Sequence, residues 1–567
     1  VIVLRARITS ARVAARVVPV WGPVWLAAVW VRAAQQLAFH YRREEAAAAA
    51  RSGVHCWRAL DARRPDRHGA PLARALGVLA ERLADLGSVG EALVVAEEAV
   101  ALAERQESAD VVTLAATRSA LSVVYAHAER PDESLLAVER AVHLLRPLDV
   151  APSRTAVAVL AAGLSRLGGL LAATGRHEEA LAAYGEAVLR YQRLFRRGCW
   201  RYTVPYLGAQ GELARQLGAL GRYAEALEQG ARPLAYFQLM AGAYPAEYRC
   251  VQAALLTEVA RWRGALGQHA EALDGADLAV SLFRHELDVQ PERAGAGLAY
   301  ALRCLAVQLH AQGRPDDAIV ALEEAVALRQ RLATGSPAQL WPLAVLLVEF
   351  ADLMWELGRR VPAIRLTAER VAVDRRLLAA NVAGIDVSGA DTEHVLARDL
   401  YLLGVRCRAT GQSEEAAQAV EEAIAVLRSR AARFADDQAV PADAVLSDDS
   451  RHADDGGALP DDPRRDDPRR EDVRRDDVLA DGVLADDVLA DDALLEDELT
   501  GARRLHLSER AWQDDQALLA DALEEMAHLY DARGYLVEAF VAIDESVAIR
   551  EHLAFPPVRN SSAPGEA

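Results

Sequence analysis

The sequence contains no lysine, so all 64 of its basic residues are arginine. That absence removes Schiff-base lysines, the phosphate-loop lysine of GxxxxGK[ST] and the ATP-binding lysine of protein kinases. Aromatic residues make up only 5% of the chain and methionine three positions. The 52% that is apolar is mostly Ala, Leu and Val, which suits thin seams between helices better than one thick core. Five cysteines (Cys56, Cys199, Cys250, Cys304 and Cys407) are odd in number and widely spaced. They give neither a disulfide framework nor a CxxC metal pattern, and they fit a reducing, cytoplasmic setting.

Catalytic constellations are scarce as well. The closest two of the 14 histidines are 13 residues apart, so there is no HExxH and no histidine pair on one helix face. GLSRLG, from Gly163 to Gly168, misses the GxSxG elbow by one residue. Carboxylate pairs such as Glu178/Glu179 and Glu323/Glu324 recur at equivalent repeat positions, which marks them as solvated helix surface. The expectation is a non-enzymatic chain with no catalytic residues, no metal site and no cofactor.

Charge is unevenly placed. The net charge is −19, yet residues 435 to 500 hold 23 Asp/Glu against 7 Arg, a net of −16, which leaves −3 for the rest. No basic stripe of the kind nucleic-acid binding needs is present. The core of the acidic tract runs in pentads (DDPRR, DDPRR, EDVRR, DDVLA, DGVLA, DDVLA, DDALL). Such low complexity cannot bury enough surface to offset chain entropy, so disorder is expected there.

What the sequence has in abundance is self-similarity. GRHEEA, GRYAEA, GQHAEA, GRPDDA and GQSEEA recur, and the first position of each such segment falls at Tyr41, Gly87, Glu129, Gly175, Gly221, Gly267, Gly313, Gly358, Gly411 and Gly534. Five of the nine spacings are 46 residues, and the last, 123, contains the acidic tract. Five residues after the marker stands Ala in nine units and Ser134 in the tenth. Seven residues before it every unit has Ala, Gly or Ser, and thirteen after it every unit is aliphatic. Small residues let two helix backbones approach, and the aliphatic column fills the next groove. Glycine at the marker suits a left-handed C-cap. The Glu or Asp four residues later in nine units suits the positive end of a second helix. Pro233, twelve residues after its marker, should bend the second helix of the fifth unit.

The small residue before the turn, the turn glycine and the alanine after it resemble the tetratricopeptide pattern over roughly residues 24 to 433 and 510 to 555. The resemblance is to the long-repeat variety found in kinesin light chains and in high-GC bacterial regulatory proteins. It implies an all-α fold: a right-handed α-solenoid of about ten tandem helix-turn-helix repeats with a disordered acidic insert. The expected organisation is 1–23, the tail of a truncated preceding repeat and a linker; 24–433, nine repeats; 434–509, the acidic insert; 510–555, the tenth repeat; and 556–567, a disordered tail. Residues 17 to 31 imitate a membrane anchor but are too short for a span and carry Pro19, Gly22 and Pro23. They read as the linker into the first repeat, and a chain that opens on Val1 suggests a start displaced from the true one.

In this family the first helix of each unit lines the concave face. The resemblance therefore points positions 13, 10, 6 and 3 before each marker into a groove. In the seventh to ninth units these offer Tyr300, Arg303, His310, Trp355, Arg398, Tyr401 and Arg408. Arginines beside aromatics suit a protein or peptide partner with carboxylates and an apolar anchor. The competing reading has Trp355 and Tyr401 packing on neighbouring helices with the arginines in solvent. A sharper variant docks the acidic tract intramolecularly on Arg303, Arg398 and Arg408. The functional expectation is a protein-interaction scaffold with no nucleic acid and no membrane. The alternative is the sensor module of a signalling ATPase or protease system whose effector lies upstream or on another chain.

Overall fold

Helical hairpins follow one another along the chain, each closed over a seam of small buried residues. The computed structural model describes residues 22–39, 42–64, 67–105, 110–147, 153–196, 202–287, 291–335, 337–382, 392–439, 513–532 and 536–554. Among these residues all regular structure is helical, with short 3-10 turns in linkers such as Pro337–Gln339. The helices are α1 (Gly22–Phe39), α2 (Arg43–Asp61), α3 (Gly69–Asp85), α4 (Val89–Glu104), α5 (Val111–His127), α6 (Pro131–Leu145), α7 (Arg154–Ala173), α8 (His177–Arg196), α9 (Thr203–Ala219) and α10 (Tyr223–Ala243). They continue with α11 (Pro245–Ala265), α12 (His269–Leu287), α13 (Pro291–Ala311), α14 (Pro315–Gly335), α15 (Leu340–Glu356), α16 (Arg360–Val382), α17 (Thr392–Ala409) and α18 (Ser413–Ala439). The last two are α19 (513–532) and α20 (Leu536–Ala554).

Each odd-numbered helix and the even one after it form a hairpin, giving ten hairpins among the described residues. The turn glycines explain the sharp reversals. Gly87, Gly175, Gly221, Gly267, Gly313, Gly358 and Gly411 all have φ between 71 and 83°, and Glu129 takes the same role at φ 57°. The residue that follows donates its N–H to the carbonyl five positions back, as Arg222 does to Leu217 at 2.8 Å and Gln268 to Arg263 at 2.9 Å. This is the Schellman closure that a residue in left-handed conformation permits. The small columns meet across each hairpin: Ala46, Ala92, Ala180, Ala226, Ala272, Ala318, Ala363 and Ala416 are fully buried. A Cβ on Gly168 would lie 2.8 Å from the Tyr184 ring, and one on Gly404 2.4 Å from Val420. The acid four residues after the marker pairs with the arginine one residue after it, as in Arg176–Glu179 and Arg222–Glu225, both at 2.6 Å.

The chain forms two compact units, residues 1–346 with 379–389 and residues 347–378 with 390–567. In the first unit α1 to α14 stack hairpin on hairpin, and first helices also meet one another, as α3 meets α5 and α11 meets α13. Helix α7 is long and apolar enough by composition to cross a membrane, but half of it is buried among its neighbours. Helix α10 runs unbroken from Tyr223 to Ala243 through the buried Pro233.

In the second unit α17 and α18 pack against α19 and α20 around Ala416, Val420, Leu427, Leu519, Leu523 and Met526. Ionic contacts join the same helices: His394 and Arg430 share Asp515 at 2.7 and 2.9 Å, and Arg408 holds Glu525. Helix α18 runs to Ala439, past the expected end of the ninth repeat at 433. The rest of the acidic insert, the segment 1–21 and the tail 556–567 lie outside the described residues.

A column of ion pairs joins successive second helices. The arginine seventeen residues after one marker meets the glutamate eleven after the next: Arg58–Glu98 at 2.6 Å, Arg146–Glu186 at 3.2 Å, Arg284–Glu324 at 3.2 Å, Arg375–Glu422 at 2.6 Å and Arg428–Glu545 at 2.6 Å. Exposed pairs of this kind are worth about 0–1 kcal/mol each, so they tune register more than stability.

Candidate functional site

Arg232 breaks that column. It stands eleven residues after Gly221, where six other hairpins carry glutamate, and the preceding hairpin has Gln192 where an arginine would otherwise stand. With no carboxylate opposite, its guanidinium lies over Tyr206 at 5.4 Å and Phe195 at 6.0 Å from the ring centres, and donates to the Tyr206 hydroxyl at 3.4 Å. Phe195 and Tyr206 stack on each other at 6.0 Å.

These groups line a cavity of about 1410 Å³ in the first unit. Its walls come from α1, α2 and α3, and from α7 to α11, so the first two hairpins face the fourth to sixth across it. Six aromatic rings contribute: Trp57, Phe195, Tyr202, Tyr206, Tyr236 and Tyr248. Arg32 and Arg74 join Arg232, and among the described residues no Asp or Glu lines the cavity. Arg74 has a distant partner in Asp110 at 3.7 Å. The walls are built by packing: Tyr206 and Tyr248 are buried, and Tyr248 leans on Phe237 at 5.9 Å, which meets Tyr236 edge-on at 5.5 Å. A positive, aromatic concavity in a chain of net charge −19 is a place where an anionic, partly apolar segment gains both charge pairing and stacking.

A second recess of about 360 Å³ shares the Leu207 wall with the first. Gly208 and Gly211 of α9 line it, together with Phe237, Val251, Ala254 and Leu255. Glu212 and Arg215 also line it as a mutual ion pair, and burial pushes the Glu212 carboxyl above its ordinary value.

The residues expected to form the groove are placed as follows. Tyr300 and Arg303 adjoin, 6.0 Å from guanidinium to ring, and Tyr300 donates to Glu258 at 3.3 Å, while His310 is exposed. With Arg329, Pro342 and Val345, Tyr300 and Arg303 border a hollow of about 150 Å³ in the first unit. The other four belong to the second unit. Arg360 and Arg406 both lie over the Trp355 ring, at 5.0 and 5.5 Å from its centre. Arg406 is itself buried, donating to Thr367 at 2.6 Å and pairing with Asp352. Arg398 pairs with the buried Asp399 at 3.1 Å, Arg408 pairs with Glu525, and Tyr401 packs against the cluster of Val371, Leu396, Leu400 and Ala423. Within the second unit, then, the arginines at these positions are largely committed to carboxylates of the array itself.

The four groove columns do capture Ala28, Val31, Gln35 and Arg74 of the large cavity. They miss its other wall, formed by the ends of second helices and the beginnings of first helices. The signal available was the departure of Arg232 from the glutamate column.

Among the described residues no group of three His, Cys, Asp or Glu side chains could hold a metal ion. The geometry thus defines a helical-hairpin repeat protein with an arginine- and aromatic-lined cavity in its first unit. Residues 160–196 and 298–333, which fall within hairpins α7–α8 and α13–α14, match the tetratricopeptide repeat family model.

Solved structures with related folds include a putative kinesin light chain of Podosopora anserina with nearly identical TPR-like repeats, at 22% identity over 40% of this chain and 99% of that one, TM-score 0.30. BtubC (BKLC) from P. vanneervenii is 16% identical over 51% of this chain and 92% of its own, TM-score 0.28. Aspartyl phosphate phosphatase F from Bacillus subtilis is 11% identical over 84% and 94%, TM-score 0.36. No curated protein shows significant similarity to the chain.

Proposed function

We propose that the protein is a non-enzymatic interaction scaffold, and that the cavity between α1–α3 and α7–α11 is where a partner's peptide segment docks. The observation that carries this reading is the composition of the cavity wall: three arginines and six aromatic rings with no carboxylate among the described residues. Elsewhere the arginines of the array are mostly paired with its own acids, as in Arg58–Glu98 and Arg176–Glu179. Arg232 carries no such pairing and faces aromatic rings, so a ligand carboxylate meets a guanidinium without displacing an acid of the chain. Aromatic and arginine side chains are the residues that dominate binding energy at protein interfaces.

Panning a display library of random peptides, each about a dozen residues long, against the full chain tests this reading. Enrichment of Asp and Glu beside aliphatic or aromatic positions is expected, with the preference inverted or lost in an R74E/R232E variant. Enrichment of basic peptides, or a preference unchanged in that variant, overturns it.

A further inference from the structure

Glycine inside a helix costs about 1 kcal/mol relative to alanine, so its presence asks for a reason. Several helical glycines here have one: a Cβ on Gly218 would lie 2.1 Å from Trp262, and one on Gly297 2.5 Å from Phe283. Gly208 has none of that kind, because a Cβ built there meets nothing within 4 Å. Gly211, one turn on, would make only an ordinary contact with Leu255 at 3.4 Å. Both line the 360 Å³ recess, at thirteen and ten residues before the turn glycine. The seventh hairpin places Tyr300 and Arg303 at those two positions. In the fifth hairpin the same positions are vacated, and the space is bordered by Phe237, Val251, Ala254 and Leu255.

We infer that this recess is the specificity subsite of the docking cavity: it receives one branched aliphatic side chain of an acidic partner segment whose carboxylates meet Arg232 and Arg74. The inference rests on the docking reading above. Leu207 forms a wall common to both spaces, so a segment lying along the cavity has the recess immediately beside it. Most of the recess wall is apolar, and Glu212 and Arg215, which also line it, are paired with each other. The occupant is therefore a partner peptide in which acidic residues flank valine, leucine or isoleucine.

The test uses the full chain and two fluorescein-labelled peptides, DDVLADGVLADDVLA and its alanine counterpart DDAAADGAAADDAAA, followed by fluorescence anisotropy. The aliphatic peptide should bind at least tenfold more tightly than the alanine one. Gly208→Leu should abolish that difference by bringing the aliphatic peptide's affinity down to that of the alanine peptide. Gly208→Ala should narrow it and raise the melting temperature, which separates filling of the recess from misfolding. R232E should weaken both peptides. If both peptides bind in an Arg232-dependent way but Gly208→Leu leaves their ratio intact, the subsite is overturned and the docking cavity stands. If neither peptide responds to R232E, the docking reading itself falls.

Discussion

The hydroxyl of Ser122 lies 3.2 Å from that of Ser134, and Ser134 also donates to the Ser122 carbonyl at 2.8 Å. Both side chains are fully buried at the point where α5 crosses α6. Other hairpins place alanine or glycine at these positions, so the third hairpin closes its seam with hydrogen bonds where its neighbours use bare contact. Ser134→Ala should cost about 1–2 kcal/mol, since it strands a buried hydroxyl. The double change Ser122→Ala/Ser134→Ala should recover most of that loss, because it restores the seam used elsewhere. Urea unfolding of the two single variants and the double variant checks the cycle.

Glu129 is the only described non-glycine residue with positive φ, at 57°. An L side chain in that conformation costs roughly 1–2 kcal/mol. The residue is exposed. Glu129→Gly is therefore expected to stabilise the chain by up to about 1 kcal/mol after the entropy that glycine adds to the unfolded state. A rise in thermal midpoint is the readout.

Gly218 and Trp262 are matched in shape. Trp262 is fully buried and its indole nitrogen occupies the space a Cβ on Gly218 would need, 2.1 Å away. Gly218→Ala should destabilise by about 1–3 kcal/mol through overpacking, despite alanine's better helix propensity. A red shift in tryptophan emission should accompany the loss as the indole is displaced.

Arg370, Asp374 and Asp399 form a buried cluster in the second unit, with Arg370 bound to Asp374 at 3.0 Å and to Asp399 at 2.8 Å. Burial, reinforced by the neighbouring Asp399, raises the Asp374 carboxyl from 3.8 to about 7, against the opposing pull of Arg370. The folded chain thus keeps a proton that the unfolded chain has released between those values. Stability from this group is present in full below pH 3.8 and is lost as pH rises through about 7. Asp374→Asn should flatten that part of the stability profile, giving a gain at about pH 8 that vanishes near about pH 4. Chemical unfolding across that range measures it.

Much of the fold was legible in the sequence because the repeat is enforced at single positions. A glycine that must take positive φ, and an alanine that must let two backbones touch, leave fixed marks at fixed spacings. Gly175, Gly221 and Gly267 could be read that way without any coordinates. The acid at the start of each second helix was legible only in part: its place at the helix N-terminus was readable, its partner arginine was not singled out. The large cavity was less accessible still. Val31 and Tyr206 come together only through the stacking of the hairpins between them in the first unit. No single residue encodes it. Of the seven expected groove residues, Arg398 pairs with its sequence neighbour Asp399, and Arg408 pairs with Glu525, an acid brought near only by the packing of α17 on α19.

The ion-pair column between second helices has a further consequence. Arg428 reaches Glu545 as Arg58 reaches Glu98, although 117 residues separate the first pair and 40 the second. The ninth and tenth hairpins thus meet through side chains far apart in sequence, as sequential hairpins do. A domain grafted after Ala439 is therefore expected to leave the Arg428–Glu545 register in place.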